Sequence, residues 1–207
     1  LCRIITHLGE DMLCDICREH PRFYHTVAHR REVGLGLSCE EACRIILSSD
    51  SYRNFIFLGE VEDDAEEESS FDAAREREKL YDLLSDRSIS YRERLGRIAD
   101  AYSLPTHFPE DLKSSILGEL EFLEPRHGDL LYNAKEADFG GEGEVICERA
   151  LAYFIFRHCS TARDGCEFRA ALGFSLFCES LLRSLAADGS DAFESARIMS
   201  EELEYSE

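Results

Sequence analysis

The sequence predicts a mainly α protein: a helical bundle with an N-terminal cysteine-rich unit that contains one β-hairpin. Three observations carry that expectation. From residue 71 onward apolar side chains recur at helical spacing. Residues 22–37 instead alternate apolar and polar side chains. Finally, five of the nine cysteines and four of the seven histidines fall within residues 2–43. Such clustering is the usual mark of a metal or iron–sulfur site rather than of scattered core thiols.

A chain of 207 residues at 44% hydrophobic content can enclose one sizeable core. The expected organisation is a cysteine-rich metal-binding unit with the hairpin over residues 1–59, an acidic loop over 60–70 and a helical body over 71–207. The first and last parts form one continuous domain. A formal charge of −20 argues against binding a nucleic-acid backbone and favours basic or neutral protein partners. No stretch reaches the roughly 20 uncharged apolar residues that a membrane span needs; residues 150–156 are the longest apolar run. With no signal peptide visible and an odd number of cysteines, the expectation is a cytoplasmic protein with reduced thiols. Of 23 basic residues only Lys79, Lys113 and Lys135 are lysine. Coding bias explains that arginine excess better than avoidance of self-modification does.

In chain order, residues 4–18 carry Ile4, Ile5, Leu8, Met12, Leu13 and Ile16 in a helical rhythm interrupted near Gly9, and Pro21 ends it. The hairpin follows, with a charged centre at His29, Arg30 and Arg31. Ser38 and Glu41 have the spacing of a capping box, which predicts a helix from Cys39 through Leu47. That places Cys39 in a first helical turn, where exposed N–H groups favour a thiolate. Residues 60–68, EVEDDAEEE, read as a solvated or disordered loop rather than an acidic dock for a partner.

Leu80, Leu83 and Leu84 mark one helix of the body. Tyr91, Leu95, Ile98 and Tyr102 mark the next, capped by Ser90 with Glu93. Pro109 suits a first helical position and Pro125 a stop. Residues 130–137 predict a short helix and residues 139–143 a glycine-rich turn; no strand precedes those glycines and no lysine follows, which argues against a phosphate loop. Residues 145–158 and 168–185 are apolar around nearly their whole circumference, as buried helices are. Arg157 and His158 at the end of the first either decorate a helix C-terminus or line a polar pocket. A last acidic helix starts at Asp191.

Cys14-x-x-Cys17 and Cys39-x-x-x-Cys43, on either side of the hairpin, approach the paired spacing of structural zinc sites. Cys147, Cys159, Cys166 and Cys178 read as packed thiols, with Cys159 and Cys166 the one further pair worth considering.

The segments LCRI, LGEDML, CREHPRF and LGLSCEEACRIIL resemble, in this order, the cysteine-rich region of the flagellin lysine-N-methylase family. ICERALAYFIFRH and ARIMSEELEYSE are similar to that family's Y-F-x-F-R-H helix and closing S-x-E-x-E-Y-S segment. Residues 52–126 do not align, no C-x-x-x-C-C segment occurs in the sequence, and Glu40 follows Cys39 where the family usually has proline.

The resemblance implies methyl transfer from S-adenosylmethionine to lysine side chains of flagellin, an iron–sulfur cluster (or, alternatively, zinc), and a protein as partner. By residue, it implies Cys2, Cys17 and Cys39 as metal ligands; Cys14 and Cys43, at positions where the family does not demand cysteine, are secondary candidates. It also points to Arg157, His158, Glu201 and Tyr205 as catalytic candidates, with Arg22 a further motif match. The alternative is a noncatalytic metal-binding or protein-interaction module that keeps the fold. An amine must lose its proton before it attacks a sulfonium methyl, so a site of this kind needs a base or a dry pocket, which Glu, His or Tyr can provide.

Overall fold

The protein is seen in a computed structural model that describes residues 2–27, 30–49, 51–60, 71–135, 142–187 and 189–204. It is mostly helical, with one two-stranded antiparallel hairpin near its N-terminus. The expected acidic loop, apart from Glu60, lies outside the described residues, as do His29, residues 139–141 of the glycine-rich turn, and Tyr205.

The N-terminal rhythm breaks into three short pieces: α1 (Arg3–Leu8), a 3-10 turn (Glu10–Met12) and α2 (Asp15–Glu19). None of them buries a side chain. Strands β1 (Arg22–Val27) and β2 (Arg30–Leu35) pair with Phe23 opposite Gly34 and His25 opposite Glu32. Period-2 alternation turns Phe23, His25 and Val27 inward. Gly34 is there because nothing larger fits: a Cβ on it would lie 2.3 Å from the Phe23 ring and 2.6 Å from Phe156.

Helix α3 (Glu40–Ser48) begins one residue later than expected. Cys39 itself is the N-cap and makes no side-chain capping bond, so the Ser38–Glu41 capping box does not form. In α4 (Ala73–Leu84) the Asp72 carboxylate accepts from the Arg75 N–H, and in α5 (Tyr91–Ala101) the Ser90 hydroxyl accepts from the Glu93 N–H, the cap read from the sequence. Pro109 is the N-cap of α6 (Glu110–Gly118). Pro125, expected to stop a helix, opens α7 (Pro125–Asn133) as its first residue, where a missing N–H costs nothing.

Helix α8 (Glu142–Phe154) starts inside the segment expected to be a turn. It continues without a break into a π-helical turn (Ile155–Cys159), and α9 (Gly165–Ala187) and α10 (Ala192–Leu203) follow. α9 is long and apolar enough on average to cross a membrane although charged residues interrupt it, yet 61% of its most apolar window is buried inside the protein. It serves as the central core helix, packed on α8, the π turn and α10. One hydrophobic core runs from Phe23 and Leu37 through Leu80, Leu151 and Phe168 to Leu203, so the hairpin and α3 share it with the helical body.

Candidate functional site

The π turn positions the site. Widening one turn of a helix re-aims its side chains, and such turns recur at functional positions. Here the turn keeps Ile155 and Cys159 in the core while Arg157 and His158 reach a polar junction beneath the hairpin. The Arg157 guanidinium lies 3.9 Å from the centroid of the Phe23 ring. His158 meets the edge of Phe174, with ring centroids 4.9 Å apart.

At the centre of this junction is Glu204, whose side chain is 1% exposed. The Tyr153 hydroxyl reaches its Oε2 at 3.0 Å and its Oε1 at 3.3 Å, and the Ser200 hydroxyl donates to Oε2. His158 Nε2 stands 2.9 Å from Oε1, off the line that an aligned hydrogen bond requires, and Arg157 Nε stands 3.6 Å away. Burial and the Glu204 charge push the Tyr153 phenol well above its ordinary range, so it stays a donor to the carboxylate. The same hydroxyl accepts the Leu37 N–H at 3.4 Å, which ties the segment before α3 to the site.

A second charged pair lies on the hairpin side. Arg77 is fully buried and donates to both oxygens of Glu32, at 2.6 and 2.7 Å, and to Ser160 at 2.5 Å. Burial alone would raise the Glu32 carboxyl, but the Arg77 hydrogen bonds and charge outweigh it and hold it low. Between the two pairs His25 is 8% exposed, and its Nδ1 has no hydrogen-bond partner. Burial first, and then the Arg157 charge, press its pKa down to about 4. This junction therefore keeps a neutral imidazole among two guanidiniums and two carboxylates.

The other expected catalytic residues fall differently. Glu201 pairs with Arg197 on α10 and also lines an open groove of about 240 Å³ with His20, Ser38 and Leu123. Tyr205 lies outside the described residues. Arg22 is exposed and donates to the Arg18 carbonyl. Tyr153, Ser200 and Glu204 were not singled out from the sequence, although Ser200 and Glu204 both sit in its closing motif. A serine four residues before a glutamate on one helix face was the available signal.

The cysteines expected as ligands occupy two places. Cys2, Cys14 and Cys17 are exposed, with Cys14 the N-cap of α2 and Cys17 in its first turn. Hydrogen bonds from the Cys17 backbone and thiol lower the Cys14 pKa, while Cys17, donating to Cys14 and feeling the nearby Cys2, is raised. Cys39 is half-buried at the start of α3; Cys43 is buried, donates to the Phe193 carbonyl at 3.4 Å, and is pushed up to about 12 by burial.

All nine cysteines are free, including Cys159 and Cys166, the first buried and the second exposed. A zinc site or an iron–sulfur cluster takes four ligands. As placed, the described residues offer a dithiol with a third thiol nearby, and no group of three His, Cys, Asp or Glu among them is arranged to hold a metal ion. Among the described residues the set does not close.

Comparison with protein-family models, with curated proteins and with solved structures finds no match to this chain.

Proposed function

We propose that this chain is a protein-lysine N-methyltransferase-like protein. It moves a methyl group from S-adenosylmethionine to lysine side chains of a flagellin-type substrate in the cytoplasm, and an iron–sulfur cluster, or alternatively zinc, belongs to the cysteine-rich unit beside its helical bundle. The supporting observation is a convergence. Two segments that carry the family resemblance, far apart in sequence, meet at one buried carboxylate, Tyr153, Arg157 and His158 from one and Ser200 and Glu204 from the other, and a third is tied to them by the Leu37 N–H donating to the Tyr153 hydroxyl.

In this reading Glu204 draws the lysine ammonium into the junction and accepts its proton. Tyr153 and Ser200 fix the orientation of the carboxylate. Arg157, held against Phe23, stands beside the carboxylate, and the aromatic wall of Phe23, Phe156 and Phe174 excludes water from the neutral amine. S-Adenosylmethionine supplies an electrophilic methyl whose sulfonium departs as a neutral thioether. Cys2, Cys17 and Cys39 are the thiols that would hold a cluster, with Cys14 and Cys43 as secondary candidates.

A second reading, a noncatalytic metal-binding or interaction module, is favoured by the N-terminal segment. Ile4, Ile5, Leu8, Met12 and Ile16 are all exposed there, as a surface meant for a partner would be. Protein purified without oxygen distinguishes the readings. Methyl transfer to flagellin lysines, with iron and matching acid-labile sulfide, supports the first. Zinc without sulfide and no affinity for S-adenosylmethionine supports the second. Full metal occupancy in Cys17→Ser would refute the ligand assignment in both.

A further inference from the structure

We propose that Cys14 and Cys17 form a reversible intramolecular disulfide by exchange with low-molecular-weight disulfides, making the exposed N-terminal segment a thiol–disulfide switch. This goes beyond the methyl-transfer reading and does not depend on it.

The nine thiols differ in what surrounds them. Cys43, Cys147, Cys159 and Cys178 are enclosed in the core, out of reach of a soluble disulfide. Cys14 and Cys17 are exposed and three residues apart at the start of α2, Cys14 as its N-cap and Cys17 in its first turn, so their side chains leave the same turn of backbone. The Arg18 N–H donates to the Cys14 carbonyl at 3.0 Å, closing a turn that keeps the two residues on one side. Residues three apart in such a turn have Cβ atoms about 5–6 Å apart, against roughly 3.5–4.5 Å in a disulfide. The remaining approach is cheap because α1, the 3-10 turn and α2 bury no side chain, so nothing in the core has to move.

The chemistry balances with the disulfide as oxidant. The thiolate of one cysteine attacks a sulfur of RSSR, an S–S bond breaks, and RS⁻ leaves. The second cysteine, once deprotonated, attacks the resulting mixed disulfide and expels the second RS⁻. Cys14 and Cys17 lose two electrons and two protons, and one RSSR becomes two RSH. A consequence follows for any ligand set that includes this pair: in the oxidised state two thiolates are withdrawn from it.

The test uses the full chain, freed of metal by a chelator and equilibrated with glutathione and glutathione disulfide at graded ratios. Acid quenching, alkylation and peptide mass mapping then read the products. The expected result is a Cys14–Cys17 cross-link that forms and reverses with the ratio, with the four core cysteines unmodified. In Cys14→Ser the cross-link disappears and a glutathione adduct accumulates on Cys17. Glutathione adducts on both sulfurs of the wild type without a cross-link, or a main product linking Cys2 to either cysteine, would overturn the assignment. Because the protein carries no metal in this assay, failure of the cluster reading leaves its outcome unaffected.

Discussion

The N-terminal segment and the junction beneath the hairpin are separated by only two residues, Pro21 and Arg22, yet they handle reactive groups in opposite ways. From Cys2 to His20 the chain buries nothing, and three thiols and five large apolar side chains are exposed, with Ile16 82% exposed. From Phe23 inward it buries charge: Arg77 at 0% exposure, Glu32 beside it, and Glu204 under Tyr153. The first arrangement leaves its groups open to solutes without any rearrangement. The second holds its groups in fixed geometry, since a buried charge left without its partner is costly.

That contrast is broken most strongly by removing Arg77. Arg77→Met leaves Glu32 buried without its bidentate partner and is expected to cost about 3–5 kcal/mol in urea unfolding. Replacing Glu32 with leucine as well is expected to recover most of that loss. Should Arg77→Met cost under about 1 kcal/mol, the junction is not the rigid region described. A smaller loss of about 1–3 kcal/mol is expected for Gly34→Ala, whose new methyl collides with Phe23 and Phe156.

Acid sharpens the same comparison. His25 is held neutral in the folded state, with a pKa near 4 against an ordinary 6.5, among Arg157, Glu32, Arg77 and His158. A base whose folded pKa is depressed gives its full stability above the unfolded value. That stability is lost as pH falls from about 6.5 toward 4, where the unfolded chain takes up the proton and the folded one does not. The expected loss over this window is on the order of 2 kcal/mol. Glu32, held low by Arg77, adds to it only at more acid pH. His25→Phe is expected to flatten the slope between pH 6.5 and 4, and an unchanged slope would remove His25 as its source. The smallest effect belongs to the exposed segment: Ile16→Ser and Cys14→Ser are each expected to change unfolding stability by less than about 0.5 kcal/mol.

How much of this was legible follows from which interactions are local. The Ser90 cap, the hairpin and the apolar helices around residues 150 and 175 are set by neighbours along the chain, and the sequence displays them. The capping box at Ser38 was a false signal because the Cys39 backbone is still extended and the helix starts one residue later. Arg77 sits in AREREK, which looks like a solvated face, and nothing local reveals that Glu32, 45 residues away, draws it inward. Arg157 and His158 could be read as a polar pair at the end of a buried helix. Their meeting with Glu204 could not, because it depends on a π turn and on how α10 returns across α9. The cysteine cluster was visible as composition, while its division into three exposed thiols and two at α3 is a property of the fold.

The most direct test of the central claim is a methyl-transfer assay. Wild type and Glu204→Gln are incubated with S-adenosylmethionine and unmodified flagellin, and lysine methylation is read by peptide mass. The account predicts methylated lysines with wild type and a loss of at least about a hundredfold in rate with Glu204→Gln, with the circular dichroism spectrum unchanged. Equal methylation by both proteins, or none by either once the metal and sulfide content are restored, would contradict it.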